Sequence, residues 1–342
     1  MIFCISGSVC VTFMVPYRAA KVKREKFNVS LSVQWNLQGL ILAVICGIIE
    51  ARSRGDPGSY QKKEEWIMLA GVSTACLYPQ HLEEAVYELA LNGITCAELF
   101  INADSDIDRR HLHTINSFRE RFGMTFPSVH PFACPIESMT LFGGYDRRVE
   151  DMIDYYKKTF EAMNRLGAQF FVLHGCEKRF AVDAGLYCER YMRLYEAGQE
   201  FGITVAQENV ERCQSGSLAF LREMSRMLGS DAKFVLDVKQ AVRAGEDPME
   251  MVSTLGTHIV HVHISDHSDK GDCLLLGQGQ FRIRAFLEML SRCSPDAAVI
   301  LELYRSGYRG ISDLVSSYRM LRSMIRSVEN AGAGGELTAK RK

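Results

Sequence analysis

His258-Ile-Val-His-Val-His-Ile-Ser-Asp266 is the stretch from which the rest of the chain can be read. Apolar β-branched residues alternate with histidine, so His261 and His263 share one face of an extended strand. Taken alone, a histidine on a strand is more often a satisfied core residue than a ligand. Three other apolar runs shift that weighing, because each closes on a carboxylate: Ile203-Thr-Val-Ala-Gln-Glu208, Lys233-Phe-Val-Leu-Asp237 and Ala298-Val-Ile-Leu-Glu302. An acid at the end of a buried strand is costly unless something cationic gathers it.

The same texture repeats along the chain. Strand-like apolar runs fall at about 66–72, 94–100, 124–130, 168–174, 202–208, 233–238, 258–264 and 297–303. Helical patterns lie between and after them, at 80–92, 108–122, 148–166, 183–200, 216–228, 247–256, 281–292 and 310–327. Glycines such as Gly123 and Gly167 stand where helices end and can take a left-handed cap. Eight strand–helix alternations predict parallel βαβ units, and eight such units close into a (β/α)8 TIM barrel with its helices outside. An open doubly wound sheet would usually carry a glycine-rich phosphate loop after an early strand. Leu69-Ala-Gly71-Val-Ser-Thr74 is not one.

Bulk composition narrows the field. The net charge of -1 leaves no whole-chain field to draw nucleic acid or an anionic membrane. Eleven cysteines without a Cys-x-x-Cys pair suit reduced thiols in a cytoplasmic protein, not a disulfide framework or a thiolate zinc site. Residues 1–64 differ from the rest and read as a non-catalytic extension, disordered or belonging to an upstream start. Its apolar runs, Met1–Pro16 and Leu40–Ile49, fall short of the roughly 18–20 residues of a membrane span. The barrel is expected over 65–327, and 328–342 reads as a flexible tail.

In a parallel barrel the carboxyl ends of all strands meet at one mouth. This chain brings Glu98, His130, His174, Glu208, Asp237, His263 and Glu302 there. If Glu208, Asp237 and Glu302 converge, each pair at 4 Å costs about 4 kcal/mol at an effective dielectric near 20. Three such pairs rival the roughly 5–15 kcal/mol that holds a domain folded. Either some protonate, or a divalent cation sits among them with His263 as fourth ligand. Oxygen-rich ligation with one imidazole suits Mn²⁺, Mg²⁺, Co²⁺ or Zn²⁺. Lys239 is the rival counter-charge, provided that it shares a face with Asp237.

Taken in order, Ser128-Val-His130, Val172-Leu-His174-Gly, Gln207-Glu208-Asn209, Leu236-Asp237, Val262-His263-Ile-Ser-Asp266, Gly277-Gln-Gly279 and Leu301-Glu302-Leu resemble the xylose-isomerase-like barrel superfamily over about 66–325. That superfamily holds sugar-phosphate isomerases and epimerases and also the endonuclease IV nucleases. In its ketose 3-epimerase branch, the positions matching Glu208, Asp237, His263 and Glu302 hold one divalent metal, and the two glutamates serve as the acid–base pair. The resemblance thus implies proton abstraction beside a carbonyl, through an ene-diolate, on a sugar or sugar phosphate. His130, His174, Gln240 and Glu98 would then meet substrate hydroxyls, Glu98 alternatively orienting a neighbour.

Two departures bear on this reading. Strand six often reads Asp-x-x-His in the family, whereas here it is Asp237-Val-Lys-Gln240. The nuclease branch needs an Asp-x-His before its Gly-x-Gly loop, and Gly271 and Cys273 stand there instead. A nuclease reading therefore falls, and no nucleic acid or membrane partner is expected. An inosose-dehydratase-like lyase and a non-catalytic sugar or metal sensor stay open, as does a homo-oligomer. The loop Gly271–Gly279 is expected over the mouth, with Arg282 and Arg284 as weak candidates for meeting a substrate phosphate.

Overall fold

A computed structural model of the chain describes residues 68–132 and 136–339. Eight parallel strands close into the expected barrel: β1 (Leu69–Ser73), β2 (Ala97–Ile101), β3 (Ser128–Pro131), β4 (Phe170–Leu173), β5 (Thr204–Glu208), β6 (Phe234–Asp237), β7 (Ile259–Ile264) and β10 (Ala298–Leu301). They follow one another around the ring, and β10 closes it against β1. The outlying β8 (Asp266–Ser268) and β9 (Gly271–Leu274) form a small antiparallel hairpin.

Strand alternation sorts the side chains into two cores. On β4, Phe171 points out into the large core beneath the helices, while Val172 points inward with Ala206 and Val235. Across the barrel Leu69, Cys96, Ala298 and Ile300 fill the interior. Both faces of every barrel strand are thus covered, which is why the strands read as nearly unbroken apolar runs. The outer helices have clear punctuation. Asp108 accepts the N–H groups of Arg110 and His111 to start the helix Arg109–Phe122, and Gly123, at φ 63°, ends it in the left-handed conformation. Gly167, at φ 72°, does the same for Asp146–Leu166.

Three differences from the sequence expectation affect the site. A helix, Val238–Ala244, starts directly after β6, because the Asp237 side chain both ends the strand and caps the N–H of Gln240. The hairpin replaces part of the expected mouth loop. The final helix runs Ile311–Ala339 and does not stop at 327. Buried Val328 packs into the core and Glu329 accepts the N–H of Met68, so the start of β1 and this helix hold each other. The extension 1–64 lies outside the described residues. Among those described, no helix is long and apolar enough to cross a membrane, and the seven cysteines are free.

Candidate active site

Four strand ends converge as expected. Glu208, Asp237, His263 and Glu302 present ligand atoms that all lie within 4.8 Å of one another. His263 is at their centre: its Nδ1 lies 3.1 Å from Glu208 Oε1, 3.6 Å from Glu302 Oε2 and 3.8 Å from Asp237 Oδ2. Its other nitrogen, Nε2, lies 3.0 Å from Glu98 Oε2. Glu98 is 0% exposed and also faces Ser128 Oγ at 2.9 Å and His261 Nε2 at 3.0 Å. Of the two roles expected of Glu98, meeting a substrate hydroxyl or orienting a neighbour, its place below the mouth with no open side leaves the second. Its carboxylate calls for a proton on His263 Nε2, while the acids facing Nδ1 favour a second proton there, so that His263 is held well above its ordinary value against the opposing effect of burial. A dication would take the place of that second proton. Sequence reading placed His261 and His263 on one face but could not show that Glu98 joins them.

Two amides flanking Glu208 fix it in place. Gln207 Nε2 lies 2.9 Å from each of the carbonyls of Leu173, His174 and Glu208, its two hydrogens shared among the three, and its Oε1 accepts from the Tyr187 hydroxyl. Asn209 pairs with the backbone of Asp237 through both side-chain atoms, Nδ2 to the carbonyl and the N–H to Oδ1. The ends of β4, β5 and β6 are thereby stitched together where Glu208 and Asp237 emerge.

The histidines at the neighbouring strand ends also have partners that set their tautomers. His130 Nδ1 lies 3.0 Å from the Pro131 carbonyl, and Arg212 Nη2 approaches His174 Nδ1 at 3.3 Å. These contacts place a proton on His130 Nδ1 and on His174 Nε2. The latter points at His130 Nε2, 3.0 Å away, and at Glu208 Oε2, 2.9 Å away. Gln240 is held differently from expectation: its Oε1 accepts the N–H of Glu211, which occupies it with the loop after β5.

Lys239 resolves its own ambiguity. Because helix, not strand, follows Asp237, the side chain turns back over the site. Its Nζ lies 2.8 Å from Glu302 Oε2 and 3.2 Å from Asp237 Oδ2. Burial opposes the charged form of each acid, and the neighbouring charges decide the outcome. Lys239 and His263 hold Glu302 down to about 2 despite that burial. His174, His130 and His263 hold Glu208 well below the usual carboxylate range. Burial wins at Asp237 and raises it, although Lys239 pulls the other way.

The model of the xylose isomerase-like TIM barrel matches residues 86–324. The chain belongs to this family. An uncharacterized protein of Mycobacterium leprae is 25% identical over 272 residues, covering 72% of this chain and 92% of that protein. Among solved structures, a D-tagatose 3-epimerase-like protein superposes with a TM-score of 0.64 at 18% identity, covering 77% of this chain and 99% of that one. An L-ribulose 3-epimerase gives a TM-score of 0.60 at 14% identity over 79% of this chain and 98% of that one. The Escherichia coli 3-keto-D-glucoside 4-epimerase gives 0.59 at 14% over 75% and 99%.

Within this xylose isomerase-like barrel the donor set fits a dication. Three carboxylates and one imidazole converge, and Asp237 Oδ2 is buried with no hydrogen bond of good geometry, while Glu208 Oε2 has only the approach of His174. Beside Glu302 the mouth opens into a cleft of about 330 Å³ whose lining includes Tyr78, Phe100, Phe132, Leu303 and Tyr304. Its aromatic faces can take the C–H side of a sugar ring. The Gly277-Gln-Gly279 turn wraps a carboxylate of the chain itself: Asp266 Oδ2 accepts the N–H groups of Gly277 and Gly279, and Oδ1 those of His267 and Phe281. A Cβ on Gly279 would stand 2.3 Å from Asp266 Oδ1, so glycine is required there for packing. Arg284 pairs with Glu288 on the surface.

Proposed function

We propose that this chain is a divalent-metal-dependent isomerase or epimerase of a sugar or sugar phosphate, working by proton transfer beside a carbonyl. The observation that carries the reading is the convergence of Glu208, Asp237, His263 and Glu302 at the carboxyl ends of four barrel strands. Family membership and the epimerases among the structural neighbours support it. A bound dication would polarise the substrate carbonyl and ease loss of the adjacent proton, an effect worth several kcal/mol.

The chain's own groups supply the rest. Around the ring Glu208 and Glu302 belong to β5 and the end of β10, with β6 and β7 between them, so they flank the centre from two sides. One carboxylate removes the proton beside the carbonyl, leaving an ene-diolate, and the other returns a proton from the opposite face. Positioned acid–base groups of this kind contribute about 10²- to 10⁴-fold each. His174, partly open to the mouth and held by Arg212, directs its Nε2 toward Glu208 and can steady a substrate hydroxyl there.

The test is isotope exchange. Purified chain supplied with Mn²⁺ is incubated in deuterated solvent with ketoses, ketose phosphates and inososes. The native chain should wash deuterium into the carbon beside the carbonyl, and Glu302→Gln should bind the same compound without exchange. Undiminished exchange in that variant sinks the acid–base assignment. An ultraviolet-absorbing unsaturated product in place of an epimer would make the enzyme a dehydratase.

A further inference from the structure

We propose that Lys239 is a tethered competitor for the dication, so that metal entry and displacement of its ammonium are a single exchange. This rests on the metal reading above, and its ground is geometric. The chain leaves β6 at Asp237 and enters the helix Val238–Ala244 at once, which carries Lys239 back over the strand ends. Its Nζ approaches Glu302 Oε2 at 2.8 Å and Asp237 Oδ2 at 3.2 Å. Those are two of the three carboxylate oxygens that face His263 Nδ1, Glu208 Oε1 being the third. Ammonium and dication would therefore seek the same lone pairs.

Both cannot have them. A metal–carboxylate bond is about 2.0–2.2 Å long, so an ion on Glu302 Oε2 would stand no more than about 5 Å from an unmoved Nζ. An ammonium carries three donors and no lone pair, so it cannot join the coordination sphere and only repels. Lys239 is 5% exposed, and relief by solvent in place is slight. The side chain has to swing away. The outward path runs along the Tyr304 ring, whose centroid is already 5.0 Å from Nζ and which also carries the Arg243 guanidinium at 5.3 Å. The ammonium thus leaves past an aromatic face shared with a second cation. Two consequences follow: the acids keep a counter-charge when no metal is bound, and the affinity for the ion is lower than the donor set alone would give.

Full-length protein stripped by chelator is titrated with Mn²⁺ by calorimetry, and thermal unfolding is recorded with and without the ion. Lys239→Met keeps the length of the stem and removes the charge, and Lys239→Gln is a second neutral variant. Both should bind Mn²⁺ at least about tenfold tighter than the native chain (about 1.4 kcal/mol). They should unfold at lower temperature without metal and gain more from it. Asp237→Asn reports on the site itself and should weaken binding by at least about tenfold. Tighter binding in the neutral variants supports the proposal, as does binding seen only in them. Equal or weaker binding that still depends on Asp237 overturns the lysine's role alone. Binding indifferent to Asp237→Asn, or absent from every variant, overturns the metal reading and this proposal with it.

Discussion

At the scale of single residues, the site is decided by what lies behind each converging side chain. Glu98 touches no open space, yet it fixes the nitrogen that His263 turns to the acids. Glu98→Gln replaces a carboxylate by an amide at a buried three-partner junction. Metal affinity should fall by about 10- to 100-fold, the usual loss when the outer partner of a ligating histidine is removed. Calorimetric titration with Mn²⁺ measures it, and unchanged affinity would reduce Glu98 to packing. Glu302 gives a prediction in pH. Its folded value of about 2 lies below the ordinary carboxylate value, so the unfolded chain takes up that proton first. The stability it contributes to metal-free protein is present above about pH 4.5 and is lost as pH falls toward 2. The gap in denaturant midpoint between the native chain and Glu302→Gln should therefore be wide at pH 5.5 and close below pH 3. A constant gap would show that the Lys239 contact does not hold the carboxylate down.

At the scale of elements, the motif Gln207-Glu208-Asn209 works as one device. Alternation sends Glu208 inward and its two amide neighbours outward, where they bind the ends of β4 and β6. Gln207→Leu would leave three carbonyls and the Tyr187 hydroxyl short of partners in a dry region. The expected loss is roughly 2–3 kcal/mol of stability, read from urea unfolding, together with weaker metal binding as Glu208 loosens. Strands of this kind are legible because a doubly covered parallel strand is a short apolar run, and this chain writes eight of them with polar ends. Lys239 resisted reading because Asp237 serves both as strand end and as helix cap. Once a helix starts there, the two-residue period no longer tells where position 239 points. Glu98 resisted for another reason: depth along a strand decides whether an end residue faces the mouth or lies under it. The hairpin Asp266–Leu274 contains little strand-like alternation to find.

At the scale of the whole molecule, the barrel is closed by its own first and last elements. The N–H of Met68 meets Glu329, and β1 pairs with β10. A chain starting at residue 65 should therefore fold, and its far-ultraviolet dichroism, melting temperature and Mn²⁺ affinity should match those of the full chain. Failure to fold would make residues 1–64 part of the barrel's foundation. The seven strand ends named from sequence lie on one barrel because closure, not proximity along the chain, makes them neighbours. The Gly277–Gly279 turn follows the same logic of closure by the chain itself. A concavity of backbone N–H groups is an anion receptor in general, but here a resident carboxylate, Asp266, fills it permanently. On the reading proposed above, a phosphoryl group on a sugar substrate would find that seat taken. Replacing Asp266 by a neutral residue would free a receptor that the backbone already provides.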